Sequence, residues 1–277
     1  MAVVIAAAIL LAGVAIFFRI PYSPARARFG RLVGERVGRA APGGGVFTEA
    51  DIAGLPAPVA RYFERCGYLG TPKMAYMRAE LAGVDFVMSP ARTVVIDYQQ
   101  FNLVERPERF ALILSSLSGM PFEGLDSFAG GIGRMEGRLA KLITLFDQTG
   151  EVMNRACLVT WLAECLMAPS AALQPFVSWE SIDDERARAR IEWQGVSASG
   201  VFTFAADGEL QSFRTGDRVA VDADGRETQA DWSAYFLNYH SVDGIWQPSV
   251  IQSTWHYEDG DVVYFNKNAA EVAIRYR

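Results

Sequence analysis

The chain is expected to fold as an α+β protein dominated by β structure. The expectation is a long antiparallel meander, forming a curved sheet or half-barrel with a packed helix, preceded by one N-terminal transmembrane helix. Three observations lead there. From Met74 onward the runs alternate apolar and polar residues with a period of two. Asp-Gly pairs recur between those runs. The first eighteen residues carry no charge.

A bilayer core is about 30 Å thick and takes about 20 apolar residues in helical form, with about 17 as the lower bound. Residues 1–18 meet that bound, and Ile20 extends the stretch. A cleaved secretory signal would need a basic start and a small-residue cleavage site close behind the apolar core. Nothing basic precedes Val3 except the amino terminus, and the A-x-A-like triplet Ala25-Arg26-Ala27 lies beyond Arg19 and Pro21. Residues 1–20 are therefore read as an uncleaved anchor.

Residues 21–47 are read as an Arg-rich juxtamembrane segment ending in a Gly linker. Arg19, Arg26, Arg28, Arg31, Arg36 and Arg39 follow the span against Glu35 alone. Positive flanks stay on the cytoplasmic side, which predicts a single-pass cell-membrane protein with its domain in the cytoplasm. The chain uses 23 arginines and three lysines, a bias that explains the choice of Arg but not its clustering. In this place the arginines can lie against anionic headgroups, each contributing about 1 kcal/mol, so membrane lipid is the expected partner. Residues 1–54 carry a net charge of +3 and the remainder −9. Nucleic-acid binding through a general basic surface is excluded on that balance. Ala-Ala-Pro-Gly-Gly-Gly-Val at 40–46 reads as a hinge.

A single β-rich domain is expected over residues 48–277. Thr48 with Asp51 makes a capping pattern, and Pro56 and Pro58 open a second helix from Val59 to Cys66, closed by Gly67. Alternation then marks strands at 74–86, 93–104 and 109–115. Residues 186–193 are the cleanest case: Ala187, Ala189, Ile191 and Trp193 point one way and Arg186, Arg188, Arg190 and Glu192 the other. Asp207-Gly208, Asp224-Gly225, Asp243-Gly244 and Asp259-Gly260 are read as two-residue hairpin turns. Counting out from them pairs Trp255 with Tyr264, His256 with Val263, Phe202 with Phe213 and His240 with Gln247. Residues 151–166 break the β pattern and read as a helix packed on the sheet, placing Glu164 where an ion pair or a site carboxylate would sit.

Catalytic and metal patterns fail on spacing. His240 and His256 fall about 30 Å apart along one strand and cannot share a metal; His256 reads as a solvated residue on the polar face. Gly130-Gly131-Ile132-Gly133 lacks the third glycine and the lysine of a phosphate loop, and reads as a glycine-rich loop or bulge between strands. Cys66, Cys157 and Cys165 form no C-x-x-C and read as buried thiols in a reducing compartment. No catalytic, metal or cofactor-binding residue is assigned.

Leu55-Pro56-Ala57-Pro58-Val59-x-Arg61-Tyr62-Phe63, Asp126-Ser127-Phe128 with Gly131-x-Gly133-x-Met135, and Gly150-Glu151-x-x-Asn154-Arg155 occur in that order. Ala163-Glu164-Cys165, Pro169-Ser170-Ala171-Ala172-Leu173, Trp179-x-x-Ile182-Asp183-Asp184 and Trp255 with Asp259-Gly260 and Tyr264 follow. This succession resembles DUF6544, a bacterial family of uncharacterised membrane-anchored proteins, over nearly the whole domain. The chain departs from it at Leu166-Met167, where an aromatic is expected before Pro169. The resemblance implies no activity.

The leading functional expectation is a membrane-tethered binding module for a lipid or other hydrophobic ligand. A curved sheet crossed by a helix resembles the half-barrels of bacterial lipoprotein carriers and can enclose an acyl chain. Trp161, Glu164, Trp193, Trp232 and Trp255 are the candidate cavity residues; the same tryptophans would equally fill a solid core, the reading favoured for aromatic residues in this number. The alternatives are a membrane-anchored protein-interaction or scaffold domain without a ligand, and a lipid-acting hydrolase using carboxylates such as Asp126 and Glu164.

Overall fold

A computed structural model describes residues 1–40, 44–89, 92–221 and 225–277. The linker residues 41–43 and Asp224 of the Asp224-Gly225 turn lie outside the described residues. The apolar start forms α1 (Ala2–Arg19), long and apolar enough to cross a membrane, with no side chain buried against protein. Pro21 supplies no N–H to continue it. A second helix, α2 (Pro24–Val37), begins on Ser23, whose hydroxyl accepts from the Arg26 N–H at 3.1 Å.

Arg26, Phe29, Val33 and Arg36 follow helical spacing and so form one stripe of α2. Phe29 and Val33 pack on Leu103, Phe110, Leu112 and Leu125. Arg26 Nε meets Glu123 Oε1 at 3.2 Å, Arg28 Nη1 meets Glu136 Oε1 at 3.0 Å, and Arg36 Nε meets Glu108 Oε2 at 3.1 Å. All three carboxylates are buried residues of the sheet. The headgroup reading therefore does not apply to Arg26, Arg28 and Arg36, because burial makes Glu108, Glu123 and Glu136 the stronger demand for a cation. Arg19, Arg31 and Arg39 are exposed.

Beyond the linker come α3 (Glu49–Ile52) and α4 (Ala57–Arg65). The Asp51 carboxylate accepts from the Thr48 N–H and hydroxyl, each at 2.8 Å, and from Lys73 Nζ at 2.6 Å. The Lys73 and Thr48 bonds hold its pKa at about 2. Tyr62 and Phe63 of α4 are fully buried, and the Tyr62 hydroxyl donates to the Leu166 carbonyl at 2.8 Å.

The first half of the sheet is β1 (Tyr76–Ser89), β2 (Arg92–Leu103), β3 (Arg109–Leu117), β4 (Met120–Ala129), β5 (Ile132–Leu139) and β6 (Ile143–Gln148). The chain then crosses in α5 (Glu151–Ala163) and α6 (Pro169–Ala172). The second half is β7 (Val177–Ser181), β8 (Arg186–Trp193), β9 (Val196–Phe204) and β10 (Leu210–Thr215). A small separate pair, β11 (Val219–Val221) and β12 (Glu227–Gln229), precedes β13 (Asp231–Val242), β14 (Ile245–Tyr257), β15 (Gly260–Phe265) and β16 (Val272–Tyr276). The large sheet is antiparallel and open, in the order β6-β5-β4-β3-β2-β1-β15-β14-β13-β10-β9-β8-β7, with β16 also on β1. Its two halves join at β1, which pairs β16 through Met77–Leu81 and β15 through Phe86.

Both faces of β3 are packed. Along β3, Phe110 and Leu112 face α2, and Ile113 faces the α5 side. The expected turn at Asp243-Gly244 is present: both residues have positive φ, 53° and 86°, and Val242 pairs with Ile245. Phe202 pairs with Phe213 and His240 with Gln247, as expected. At Asp259-Gly260 the register differs: Gly260 is already a strand residue opposite Tyr257, so Trp255 pairs with Val262 and His256 with Asp261.

Candidate functional site

On the α5 side of β2, β3 and β4 the strand pairing collects polar residues where a core would place apolar ones. Asn102 lies opposite Arg109, Gln100 opposite Ala111, and Ala111 opposite Asp126. Tyr98, Gln100, Asn102, Arg109 and Asp126 thus share one face. Glu164 is added from above, at the C-cap of α5.

Arg109 is the hub, its side chain only 4% exposed. Its Nη1 donates to Asp126 Oδ2 at 2.5 Å and its Nε to Glu164 Oε2 at 2.9 Å. Its Nη2 reaches the Tyr98 hydroxyl at 2.5 Å and Gln100 Oε1 at 3.1 Å. Glu164 Oε2 also accepts from Gln100 Nε2 at 2.7 Å and Asn102 Nδ2 at 2.8 Å. Burial alone would lower the Arg109 pKa, but the charges of Glu164, Tyr98 and Asp126 outweigh it and hold the guanidinium well above its ordinary value. The arrangement fixes the end of α5 to the sheet by a buried, hydrogen-bonded ion-pair network. Glu164 Oε2 spends its acceptor capacity on three donors, which suits a clamp better than a proton acceptor.

Asp126 and Glu164 are therefore brought together, through Arg109. Cys165 is not part of this network; burial raises its pKa. Cys157 stands there instead, its Sγ donating to Asp126 Oδ1 at 3.5 Å, and burial followed by the Asp126 charge raises its pKa well above the usual thiol value. Burial likewise pushes the Cys66 thiol up to about 12. All three thiols are buried and unpaired with one another. Arg109, Gln100 and Asn102 were missed by sequence reasoning. The available signal was polar side chains two residues apart at inward positions of a strand.

His256 is not the solvated residue expected. Its Nε2 lies 2.9 Å from Ser233 Oγ and its Nδ1 2.7 Å from Asp261 Oδ1. This is the hydrogen-bond chain of a serine-histidine-aspartate relay. Ser233 is 2% exposed, however, and pairs in the sheet with Arg214 on one side and Thr254 on the other. A nucleophile must reach a carbonyl, and the ladder already uses the backbone donors that would stabilise an oxyanion. The chain of bonds is a cross-strand support.

The candidate cavity residues fall in three places. Glu164 belongs to the Arg109 network. Trp161 is fully buried, donates from Nε1 to the Leu103 carbonyl at 3.1 Å, and meets Phe176, which also packs on Trp193. Trp232 and Trp255 pair across β13 and β14, with the Arg218 guanidinium 4.6 and 5.5 Å from their ring centres. None of the five lines the large open depression, of about 1160 Å³, which runs along β1, β2, β3, β16 and the β13–β14 turn. Buried Leu81, Leu112 and Ile274 line it together with exposed Arg26 and Arg275.

Several motif residues have a direct physical account. Gly133 presses against α5: a Cβ there would stand 2.5 Å from the Met153 carbonyl oxygen and 2.9 Å from Cys157 Sγ. Its N–H donates to Asn154 Oδ1 at 2.8 Å, so glycine and asparagine together seat the helix on β5. Gly130 and Gly131 make the β4–β5 turn at φ 59° and 82°. Trp179 Nε1 donates to the Ala172 carbonyl at 2.9 Å, and Ser170 Oγ accepts from the Met74 N–H at 2.9 Å, tying α6 to both halves of the sheet.

No curated protein matches the chain in sequence. A solved LolA superfamily protein from Nitrosomonas europaea is similar at 11% identity and a TM-score of 0.36, over 79% of this chain and 93% of its own. The model of the "Family of unknown function (DUF6544)" matches residues 45–267, from α3 through β15, and the chain belongs to that family.

Proposed function

We propose that the protein is a membrane-tethered binding module that takes a lipid or another hydrophobic ligand in the depression beside α2. The observation that supports this is the depression itself, where buried leucines and an isoleucine meet exposed arginines. The lining also holds Glu80, Asp97, Asp243 and Glu271, so it supports an apolar ligand body and gives no preference for an anionic end. Arg26 follows the end of α1 by seven residues, so this end of the depression is close to the anchor.

The test is native purification of the full chain and mass spectrometry of what remains bound. Ala82 and Ala273 are exposed residues of the lining. Ala82→Trp with Ala273→Trp narrows the depression without touching the anchor. A stoichiometric lipid in the wild type, reduced about tenfold in the double variant, is expected, equivalent to about 1.4 kcal/mol of binding. Equal lipid in both, or none in either, overturns the proposal. The scaffold reading draws support from the fully buried Trp161, Tyr62 and Phe63 under and around α5, which leave that face packed.

The side of the membrane is read as cytoplasmic from the arginine flank. A reporter fused after Arg277 is expected to be active only if it is one that works in the cytoplasm. Activity of a reporter that needs export reverses the assignment.

A further inference from the structure

The β5–β6 turn is built in an unusual conformation. Ala140 and Lys141 both have positive φ, 51° and 65°. Residues with a Cβ rarely adopt such angles, and they persist where the surroundings hold them. What holds this turn is the end of α1. Lys141, 5% exposed, donates from Nζ to the carbonyls of Phe17 at 3.0 Å and Ile20 at 2.5 Å. It also lies 5.3 Å from the centre of the Phe17 ring. The Phe17 carbonyl lacks its usual helical partner because the residue four positions on is Pro21, which has no N–H. A cation at a helix C-terminus is further favoured by the helix dipole.

Immediately past Lys141 the chain exposes apolar side chains. Leu142 is 66% and Ile143 57% exposed, and Leu145 follows on β6. Met120 is exposed at the adjoining β3–β4 turn, which is tied in by the Ala140 N–H to the Pro121 carbonyl at 2.7 Å. β6 ends the sheet. An apolar strand left at a sheet edge invites unwanted pairing unless something covers it. The Lys141 contact identifies the cover, since a turn bonded to the last carbonyls of a membrane-spanning helix lies at the depth where that helix leaves the bilayer.

We propose that Leu142 and Ile143, with Leu145 and Met120 beside them, enter the interfacial layer of the bilayer that α1 crosses. The domain thereby has a second membrane contact, independent of any ligand in the depression. Apolar side chains in this role sit about 5–10 Å into the boundary between headgroups and acyl chains.

The native thiols are all buried, so a single introduced surface cysteine can be labelled selectively. The full chain is reconstituted in phosphatidylcholine and phosphatidylglycerol vesicles as Leu142→Cys or Ile143→Cys, carrying an environment-sensitive fluorophore. Lipids brominated near the headgroup are expected to quench both labels, because the proposed depth lies at the headgroup boundary. A label at Ser197→Cys should stay bright, because the β8–β9 turn adjoins Gly131 at the opposite end of β5. Leu10→Cys reports the span itself and should be quenched by lipids brominated deep in the chain. Quenching of Leu10 with Leu142 and Ile143 open to aqueous iodide overturns the proposal. Shielding of both from iodide and from bromolipid also overturns it, and points to a second copy on the β6 edge. An unquenched Leu10 overturns it by removing the span on which it rests.

Discussion

Arg109→Met is expected to destabilise the protein by about 3–5 kcal/mol, the usual cost of removing one partner from a buried ion pair. The methionine fills similar space, so the loss is electrostatic: Asp126 and Glu164 remain under α5 without their cation. The triple variant Arg109→Met, Asp126→Asn, Glu164→Gln removes the charges together and is expected to recover most of the loss. The pH dependence separates this from a packing defect. In the single variant two carboxylates are left under α5 without a cation, and protonation, which removes their charge, relieves that cost. The penalty is therefore expected to shrink as the pH is lowered. Urea unfolding of the full chain in micelles, followed by tryptophan fluorescence at neutral and mildly acidic pH, measures it. A gap between variant and wild type that does not narrow at low pH rules out the electrostatic account.

Trp161→Ala is expected to cost about 3–5 kcal/mol, since it empties a fully buried indole site between α5 and the sheet. Trp161→Phe keeps most of the volume but leaves the Leu103 carbonyl without its donor, for about 1–3 kcal/mol. The pair distinguishes packed core from ligand space. A tryptophan lining an open cavity loses little on truncation, so a cost for Trp161→Ala below about 1 kcal/mol would return Trp161 to the cavity. The same unfolding assay reports both.

The sheet was legible because its signals are local. Period-two alternation needs only neighbouring residues, and a turn such as Asp243-Gly244 announces its positive φ angles by residue type. Register was less legible, for an exact geometric reason. Moving the Trp255 partner from Tyr264 to Val262 is a slip of two residues, which returns every side chain to the same face. The hydrophobic pattern is blind to such a slip. The docking of α2 was hidden for another reason: Glu108, Glu123 and Glu136 lie 72 to 108 residues from their arginines, and nothing in the local sequence names the partner. Glu164 was legible as an inward carboxylate and Asp126 was named beside it, but Arg109, the residue that joins them, was not. His256 failed because its polar face, expected to be wet, is crossed by a bonded chain of Ser233 and Asp261.

On the proposed membrane topology, the clamp between α2 and the sheet gives the arginines behind α1 two successive tasks. On that topology, while α1 is being inserted Glu108, Glu123 and Glu136 have not yet been synthesised, and six arginines face Glu35 alone, the net positive flank that a topology signal requires. At about 5–20 residues/s, the roughly 100 residues between α2 and Glu136 take on the order of 5–20 s to appear. Only then do Arg26, Arg28 and Arg36 acquire their carboxylates. A charge that would serve as a topology signal in the nascent chain thus becomes an internal strut of the finished one. Reversing it, as in Arg28→Glu, would act twice, first on orientation and then on docking, with the order of synthesis keeping the two effects apart in time.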